Sequence, residues 1–227
     1  MEAEVAHLAD TILSRARAHS KPRFLVAIAG APGSGKTTTA KAVQRELQDR
    51  HIDTALLSMD GFHLPRAILD TLPNHEEAYT RRGAPWTFDV TGFLQFVRQL
   101  RDWADGHSPH GSAALTAPTF DHRTKDPVAD GVVIPIDTQI VLLEGNYLLL
   151  NQDTWREIAP LVDLRVFIDV HLGVARDRLA RRHVESGIEP SLEDGYRRVD
   201  SNDYLNGLEI QENLITPDVV VQSVEYP

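Results

Sequence analysis

The chain has 227 residues, of which 42% are hydrophobic and 25% are charged, so a wholly disordered chain is excluded. Its net charge of −10 disfavours a general binder of nucleic acid or of anionic membranes. The chain contains no cysteine, which excludes disulfide bonds and thiolate metal sites, and we expect a cytoplasmic protein.

Short apolar strands alternate with amphipathic helices along the chain, which favours a parallel sheet with helices on both faces. The spacing of Val5, Leu8 and Ile12 predicts a helix over residues 3–18. The apolar run at 24–29 is typical of a buried parallel strand. Further strands are predicted over residues 54–58, 139–143, 164–168 and 218–222, and further helices over 36–49, 89–104, 172–186 and 192–206. We therefore expect an α/β fold with a sheet of about five strands, forming a single domain over residues 1–227.

A segment rich in proline and polar residues follows the second strand. Over residues 61–88 we expect mostly loop, with a short helix near 66–71. The other elements predicted here are a turn at 106–111 and two weak strands, over 114–120 and 128–134, around a polar turn at 121–127. We interpret residues 61–136 as an insertion between strands of the sheet.

A phosphate-binding motif lies between the first strand and the helix that follows it. The residues match G-x-x-x-x-G-K-[ST] completely, and they occur in the strand-to-helix context that phosphate binding requires. Glycines allow a tight turn whose backbone N–H groups point at phosphate oxygens, and the helix dipole adds to the attraction. The predicted nucleotide-binding residues are Gly30, Ala31, Pro32, Gly33, Ser34, Gly35, Lys36, Thr37 and Thr38.

Two of these side chains have a predicted chemical role. Lys36 supplies a cation to the β- and γ-phosphates, and the Thr37 hydroxyl is a ligand for Mg²⁺. ATP is favoured over GTP because the chain lacks the N-K-x-D motif that reads guanine. A D-x-x-G string at 89–92 is interpreted as the start of a helix.

Three acidic residues come at the ends of predicted strands, where parallel sheets bind their ligands. Asp60 is either the base that takes a proton from an attacking hydroxyl or a turn residue satisfied by backbone N–H groups. Glu144 is either an acid that holds Mg²⁺, directly or through water, or a cap. For Asp169 we predict that it caps the next helix.

Arginines cluster on the helix predicted at 172–186. Arg178, Arg181 and Arg182 are spaced to share one face, so they form either a clamp for phosphate oxygens or a solvated helix surface. His63 has no partner at zinc-like spacing, so the metal we expect is Mg²⁺.

The order of several motifs resembles a known family. The segments GAPGSGKTT, LLSMDGFHLP, RRGAPWTFD, APTFDHRTKD, IVLLEGNYLLL and RDRLARRH occur in the order found in the uridine kinase / phosphoribulokinase / bacterial pantothenate kinase group. Within that group the chain is most similar to bacterial proteins named as fructose transport-system kinases. The resemblance covers roughly residues 20–222 and implies a three-layer P-loop NTPase fold.

The resemblance also implies a reaction: transfer of the γ-phosphoryl group of ATP to a hydroxyl of a small molecule. By match, Asp60 is implied as the general base and Glu144 as the acid at the Walker B strand. Arg178 and Arg182 fall in the pattern of a lid helix, with the lid at about 176–190. The insertion at 61–136 would then lie on the acceptor side.

The acceptor itself is best predicted as a fructose-like sugar, with a nucleoside or pantothenate as alternatives. Phe120 and His63 stand where uridine kinases usually carry tyrosine, which counts against uridine. A polyol or ribose needs several fixed donors and acceptors of hydrogen bonds. The predicted acceptor-binding residues are Asp60, His63, Arg82, Asp121, His122, Arg123 and Asn146.

Four further residues are candidates for the acceptor site, but each of them also has an ordinary structural role that the sequence allows. Trp86 and Tyr147 are suited to stacking on a sugar, but Trp86 is also a candidate for the core. Phe88 and Asp89 are further candidates for acceptor binding, and Asp89 is also a candidate helix cap. A rival of another class is a regulatory ATPase without a small acceptor, against which the lack of cysteine and of a histidine-rich tract argues. We expect no nucleic acid or membrane partner, and the oligomeric state stays open, with a homodimer as one option.

Overall fold

The computed structural model describes residues 2–107 and 114–223. Its centre is a five-stranded parallel sheet, as the sequence predicts, with strand order β2-β5-β1-β6-β7. The strands of this sheet are β1 (Phe24–Gly30), β2 (Thr54–Ser58), β5 (Ile140–Gly145), β6 (Leu164–Asp169) and β7 (Val219–Gln222). A separate antiparallel hairpin consists of β3 (Leu115–Asp121) and β4 (Asp126–Ile134).

Eight α-helices are found in the described ranges. They are α1 (Glu2–Ala18), α2 (Lys36–Asp49), α3 (Arg66–Leu69), α4 (His75–Thr80), α5 (Val90–Ala104), α6 (Leu172–Glu185), α7 (Leu192–Ser201) and α8 (Asp203–Glu212). Within those same ranges, no helix combines the length and the hydropathy needed to cross a membrane.

Alternate residues of β1 face two different cores, as the two-residue period of a strand requires. Val26 and Ile28 belong to the core that α1 and α2 cover. Leu25 and Ala27 belong to a larger core, which α5 covers with Phe93 and its neighbours. The sheet is therefore buried on both faces, which explains why its strands read as continuous apolar runs.

Several predicted boundaries need correction. The helix expected at 192–206 is two helices, α7 and α8, because the backbone at Asn202 leaves the helical region (φ −142°, ψ −73°). The loop expected at 61–88 also contains α4, and the hairpin turn is shorter than predicted because β4 begins at Asp126. Of the turn predicted at 106–111, Gly106 has a left-handed φ of 79°, whereas residues 108–111 lie outside the described ranges.

The cap of α6 is a different residue from the one predicted. His171, not Asp169, is the N-cap, since its Nδ1 accepts a hydrogen bond from the backbone N–H of Gly173. Asp169 lies at the end of β6, where its carboxylate accepts from the side chain of Gln222 at 3.2 Å. It is therefore tied to the neighbouring strand β7.

Candidate functional site

Three adjacent strands bring the predicted site together. The order β2-β5-β1 places the segment after β2, the end of β5 and the loop after β1 side by side at the carboxyl edge of the sheet. Ser58 on β2 and Ile28 on β1 are both paired with Glu144 on β5. Asp60, Glu144 and the phosphate loop are thus neighbours because of the strand register.

The phosphate loop joins β1 to α2 in a backbone shape that only glycine adopts readily. Gly33 and Gly35 have φ values of 78° and 84°, in the left-handed region. A Cβ on Gly33 would lie 2.7 Å from the carbonyl oxygen of Ala175, so α6 packs directly against the loop. No side chain caps the first turn of α2, which leaves its backbone N–H groups to an anion.

Arg178 of α6 supports this loop from the side. Its Nη1 donates to the hydroxyl of Ser223 at 2.7 Å and lies 3.4 Å from the carbonyl oxygen of Gly33. The Ser223 hydroxyl in turn donates to the carbonyl oxygen of Ser34 at 2.7 Å. Arg178 and Arg182 both line a cavity of about 180 Å³ above the loop.

Arg181 does not share this position. It does not line this cavity, and its charge opposes the rise in the pKa of Tyr196 on α7 that a hydrogen bond with Asp177 causes. Of the three arginines, Arg178 and Arg182, four residues apart, line the cavity at the loop, and their role as a phosphate clamp stays a prediction.

Lys36, Thr37 and Glu144 form a polar cluster at the end of β5. The Thr37 hydroxyl donates to Oε2 of the buried Glu144 at 2.9 Å. Burial lowers the pKa of Lys36, and the carboxylates of Glu144 and Asp60 oppose this shift. The Lys36 ammonium therefore lies within the field of both acids, close to where a phosphate would lie.

A larger cavity of about 980 Å³ opens from the phosphate loop towards the hairpin. Four predicted acceptor-binding residues line it, namely Asp60, His63, His122 and Asn146. Asp60 lies in the turn after β2, and in the described part of the chain no backbone N–H donates to its carboxylate. The carboxylate of Asp60 is thus free to act on a molecule in the cavity.

His63 is held rigidly at the wall of this cavity. Its ring stacks between Phe88 and Phe120, with centroid distances of 4.0 and 4.7 Å. Its Nδ1 lies 2.8 Å from the carbonyl oxygen of Asp60, so Nδ1 carries the proton and Nε2 is a hydrogen-bond acceptor. Burial lowers the pKa of His63, which keeps the ring neutral at pH 7.

Three predicted acceptor-binding residues lie elsewhere, among the contacts that shape the hairpin. The Asp121 carboxylate accepts from the backbone N–H of Arg123 at 2.8 Å, so both belong to the hairpin turn, and this bond lowers the pKa of Asp121. Arg82 donates to the carbonyl oxygen of Leu64, and its guanidinium lies 5.4 Å from the ring centre of Phe120. The structure does not place Arg82, Asp121 or Arg123 on the wall of the large cavity.

The aromatic candidates and Asp89 also have structural positions. Tyr147 is fully buried and donates to the carbonyl oxygen of Gly83 at 2.6 Å, whereas Trp86 is 42% exposed beside a separate groove. Asp89 caps α5 by accepting from the backbone N–H of Gly92, as predicted. None of these side chains reaches the large cavity.

Sequence reasoning missed several residues that line the large cavity, among them His183 at the end of α6, and Asp203 and Asn206 at the start of α8. The one sequence signal was the i, i+3 spacing of Asp203 and Asn206, which places both on one helix face. That signal was hidden because the helix was predicted to run through Asn202 without a break.

The sequence comparison decides the family. Residues 25–225 match the sequence model of the phosphoribulokinase / uridine kinase family. The chain belongs to this family. It is therefore a P-loop kinase, a phosphotransferase that acts with ATP.

Similar proteins of this kinase family are found in fungi and bacteria. A provisionally named uridine kinase of Schizosaccharomyces pombe is 37% identical over 204 residues, which covers 89% of this chain and 84% of its own length. The ATP-dependent kinase-like protein notR' of Aspergillus versicolor is 44% identical over 155 residues, covering 68% of this chain and 88% of its own. Among solved structures, a protein of Silicibacter sp. TM1040, provisionally named a fructose transport system kinase, superposes with a TM-score of 0.84 at 26% identity, covering 96% of this chain and 98% of its own.

The kinase family implies Mg²⁺ with the nucleotide, and the residues present fit that ion. The Thr37 hydroxyl and the Glu144 carboxylate lie side by side, and both offer the oxygen ligands that Mg²⁺ prefers. No group of three or more histidine, aspartate or glutamate side chains suited to a metal occurs among the described residues. Phosphate oxygens and water would therefore complete the coordination.

Proposed function

We propose that this kinase transfers the γ-phosphoryl group of ATP to a hydroxyl of a small sugar, with a fructose-like sugar as the first candidate. The observation that carries the proposal is the single cavity that joins the phosphate loop to Asp60, His63 and Asn146. The name of the Silicibacter protein supports a sugar as the acceptor, and the superposition with that protein covers nearly the whole of this chain.

In this proposal the phosphate loop binds the triphosphate, and the residues around it orient the γ-phosphate. Thr37 and Glu144 would hold Mg²⁺, which offsets charge on the phosphate oxygens when it is bound. Lys36 and Arg182 donate to oxygens of the group in transfer, and Arg178 keeps the loop in shape.

The chemical step needs one base and one acceptor hydroxyl. The Asp60 carboxylate takes the proton of the acceptor hydroxyl while the hydroxyl oxygen bonds to the γ-phosphorus. The bond between the γ-phosphorus and the β-phosphate oxygen breaks, which releases ADP. His63 and Asn146 line the same cavity and would hold neighbouring hydroxyls. Closure of residues 176–190 over the site would exclude water, so that ATP is not hydrolysed.

A nucleoside is the second candidate acceptor. It is favoured by the name of the S. pombe relative, which is 37% identical and aligned over most of both chains. Phe120 counts against it, because a phenyl ring lacks the hydroxyl that uridine kinases usually present at this position. Both candidate acceptors would place a sugar ring in the cavity, and a nucleoside would in addition need room for its base.

The test is a coupled ADP-release assay over sugars, polyols, nucleosides and pantothenate with Mg-ATP. We expect a sugar to stimulate ADP release most, and Asp60→Asn to lower the turnover by about 10²–10⁴-fold while the KM for ATP stays within about twofold. The charge-matched control is Asp49→Asn at the exposed end of α2. ADP release that no acceptor stimulates would show a regulatory ATPase instead, and wild-type turnover in Asp60→Asn would remove its role as the base.

A further inference from the structure

The large cavity has a second polar wall, formed by the end of α6 and the start of α8. Asp203 and Asn206 lie one turn apart on α8 and line the cavity opposite the strand ends, together with His183 of α6. The side chains of His183 and Asp203 are 11% and 22% exposed, and Asn206 is 1% exposed. A carboxylate therefore stands at the cavity surface with buried polar side chains behind it.

A network of amide and guanidinium groups fixes the start of α8. Asn206 Oδ1 accepts from Arg81 Nη2 at 3.0 Å, and Asn206 Nδ2 donates to Asn202 Oδ1 at 3.2 Å. Asn202 Nδ2 donates to the carbonyl oxygen of Arg82 at 2.9 Å. These bonds join α8 to the segment that precedes His63's stacking partner Phe88, so Asp203 stands on a rigid support.

His183 contacts the Asp203 carboxylate directly. Its Nε2 lies 3.4 Å from Oδ2 of Asp203, and because a carboxylate only accepts hydrogen bonds, Nε2 is the nitrogen that carries the proton. The other ring nitrogen, Nδ1, is buried and has no hydrogen-bond partner among residues 2–107 and 114–223. Asp203 lines the same cavity as Lys36, where burial lowers the pKa of Lys36 and Asp203 is the weakest of the three carboxylates that oppose this shift.

The cavity wall is therefore rich in hydrogen-bond acceptors. They are the carboxylates of Asp60 and Asp203, Nε2 of His63, and Oδ1 of Asn146, which is buried and has no protein partner in the described part of the chain. A molecule that satisfies these atoms must bring several O–H donors. A carboxylate group on it would meet two acidic side chains instead.

The cations that line this cavity belong to two other places. Lys36, Lys41 and Arg182 stand on the phosphate-loop side, where the triphosphate needs them, and Lys125 and His122 stand on the hairpin. Among the described residues that line the cavity, Lys36 is a cation whose charge interacts with both Asp60 and Asp203, and the γ-phosphate engages Lys36 in the proposed reaction.

We propose that Asp203, oriented by His183, binds hydroxyl groups of the phosphoryl acceptor and selects uncharged, polyhydroxylated molecules over those that carry a carboxylate. This inference rests on the proposed kinase reaction. It separates sugars, polyols and nucleosides, as one class, from pantothenate and hydroxy acids.

The test uses the full-length protein with Mg-ATP and the best neutral acceptor of the screen. Asp203→Asn should raise the KM for that acceptor by about tenfold, the value of one hydrogen bond to a charged group, while the KM for ATP stays within about twofold. Asp203→Asn should also lower the ratio of kcat/KM for a sugar to kcat/KM for the corresponding sugar acid, because the carboxylate of the acid then meets one negative charge fewer. The control is Asp200→Asn, which removes an equal charge from α7, where Asp200 pairs with Arg176 at the surface.

A second pair of variants keeps the test decisive if Asp203→Asn does not fold. His183→Phe removes the N–H that orients Asp203 and should raise the KM for the acceptor several-fold, and His183→Gln, which keeps an N–H, should restore part of it. The inference is overturned if the KM for the acceptor is unchanged in these variants. It is also overturned if the wild-type protein prefers acceptors that carry a carboxylate. An assay in which no acceptor stimulates ADP release refutes the kinase proposal itself, which is a different result.

Discussion

Tyr147 connects the end of the sheet to the segment that carries the acceptor wall, and its hydroxyl offers a quantitative test of that packing. The side chain is fully buried and donates to the carbonyl oxygen of Gly83 at 2.6 Å. Tyr147→Phe removes one buried hydrogen bond and leaves that carbonyl without its donor, which should lower the free energy of unfolding by about 1–2 kcal/mol. For a chain of this size the melting temperature should fall by roughly 2–8 °C.

Tyr79 provides a matched control for the same substitution. Its hydroxyl donates to Asp70 at a similar distance of 2.6 Å, but the residue is 36% exposed. Tyr79→Phe should therefore cost less than about 0.5 kcal/mol, because water can replace the lost bond. Urea unfolding of both variants gives the comparison, and equal losses for Tyr147→Phe and Tyr79→Phe would refute the reasoning.

The same substitution has a pH signature. Burial raises the pKa of Tyr147 well above its ordinary value, so the folded state keeps the proton more firmly than the unfolded state. The stability that this difference supplies is fully present below about pH 10, where the unfolded tyrosine begins to ionise, and is lost as the pH rises further. The stability gap between the wild type and Tyr147→Phe should therefore narrow above that pH.

Two further predictions concern the phosphate site. Arg178→Ala removes the contacts with Ser223 and the loop and should raise the KM for ATP by about tenfold or more. Arg181→Ala, on the same helix but outside the cavity lining, should change that KM by less than about twofold, and equal effects of the two variants in steady-state kinetics would contradict this placement. Glu144→Gln should raise the Mg²⁺ concentration needed for half-maximal turnover by about tenfold, because the carboxylate beside Thr37 is lost; an unchanged Mg²⁺ titration at fixed ATP would remove Glu144 from the metal site.

The nucleotide half of the site was predictable because its chemistry lies within one short segment. The strand, the glycine-rich turn and the helix that follow each other at residues 24–49 have local signals that agree, and the structure has β1 and α2 where the sequence predicts them. Glu144 and Asp60 could be placed beside the loop because parallel strands bring their carboxyl ends to one edge.

The acceptor half is harder to predict from the sequence because distant segments form it. Asp121, Arg123 and Arg82 were predicted as acceptor-binding residues, but in the structure the Asp121 carboxylate accepts from the backbone N–H of Arg123, and Arg82 donates to the carbonyl oxygen of Leu64. His183 and Asp203 are 20 residues apart and meet only because the chain turns at Asn202. The sequence pattern of a single segment cannot predict a contact between two side chains of different helices.

The fate of the γ-phosphate tests the central claim most directly. ATP labelled at the γ-position should be incubated with the protein, Mg²⁺ and the best acceptor of the screen, and the labelled products separated. The kinase account predicts that nearly all of the label appears on the acceptor, with little inorganic phosphate, and that Asp60→Asn slows this transfer by about 10²–10⁴-fold. Label found only in inorganic phosphate, with or without acceptor, would contradict it.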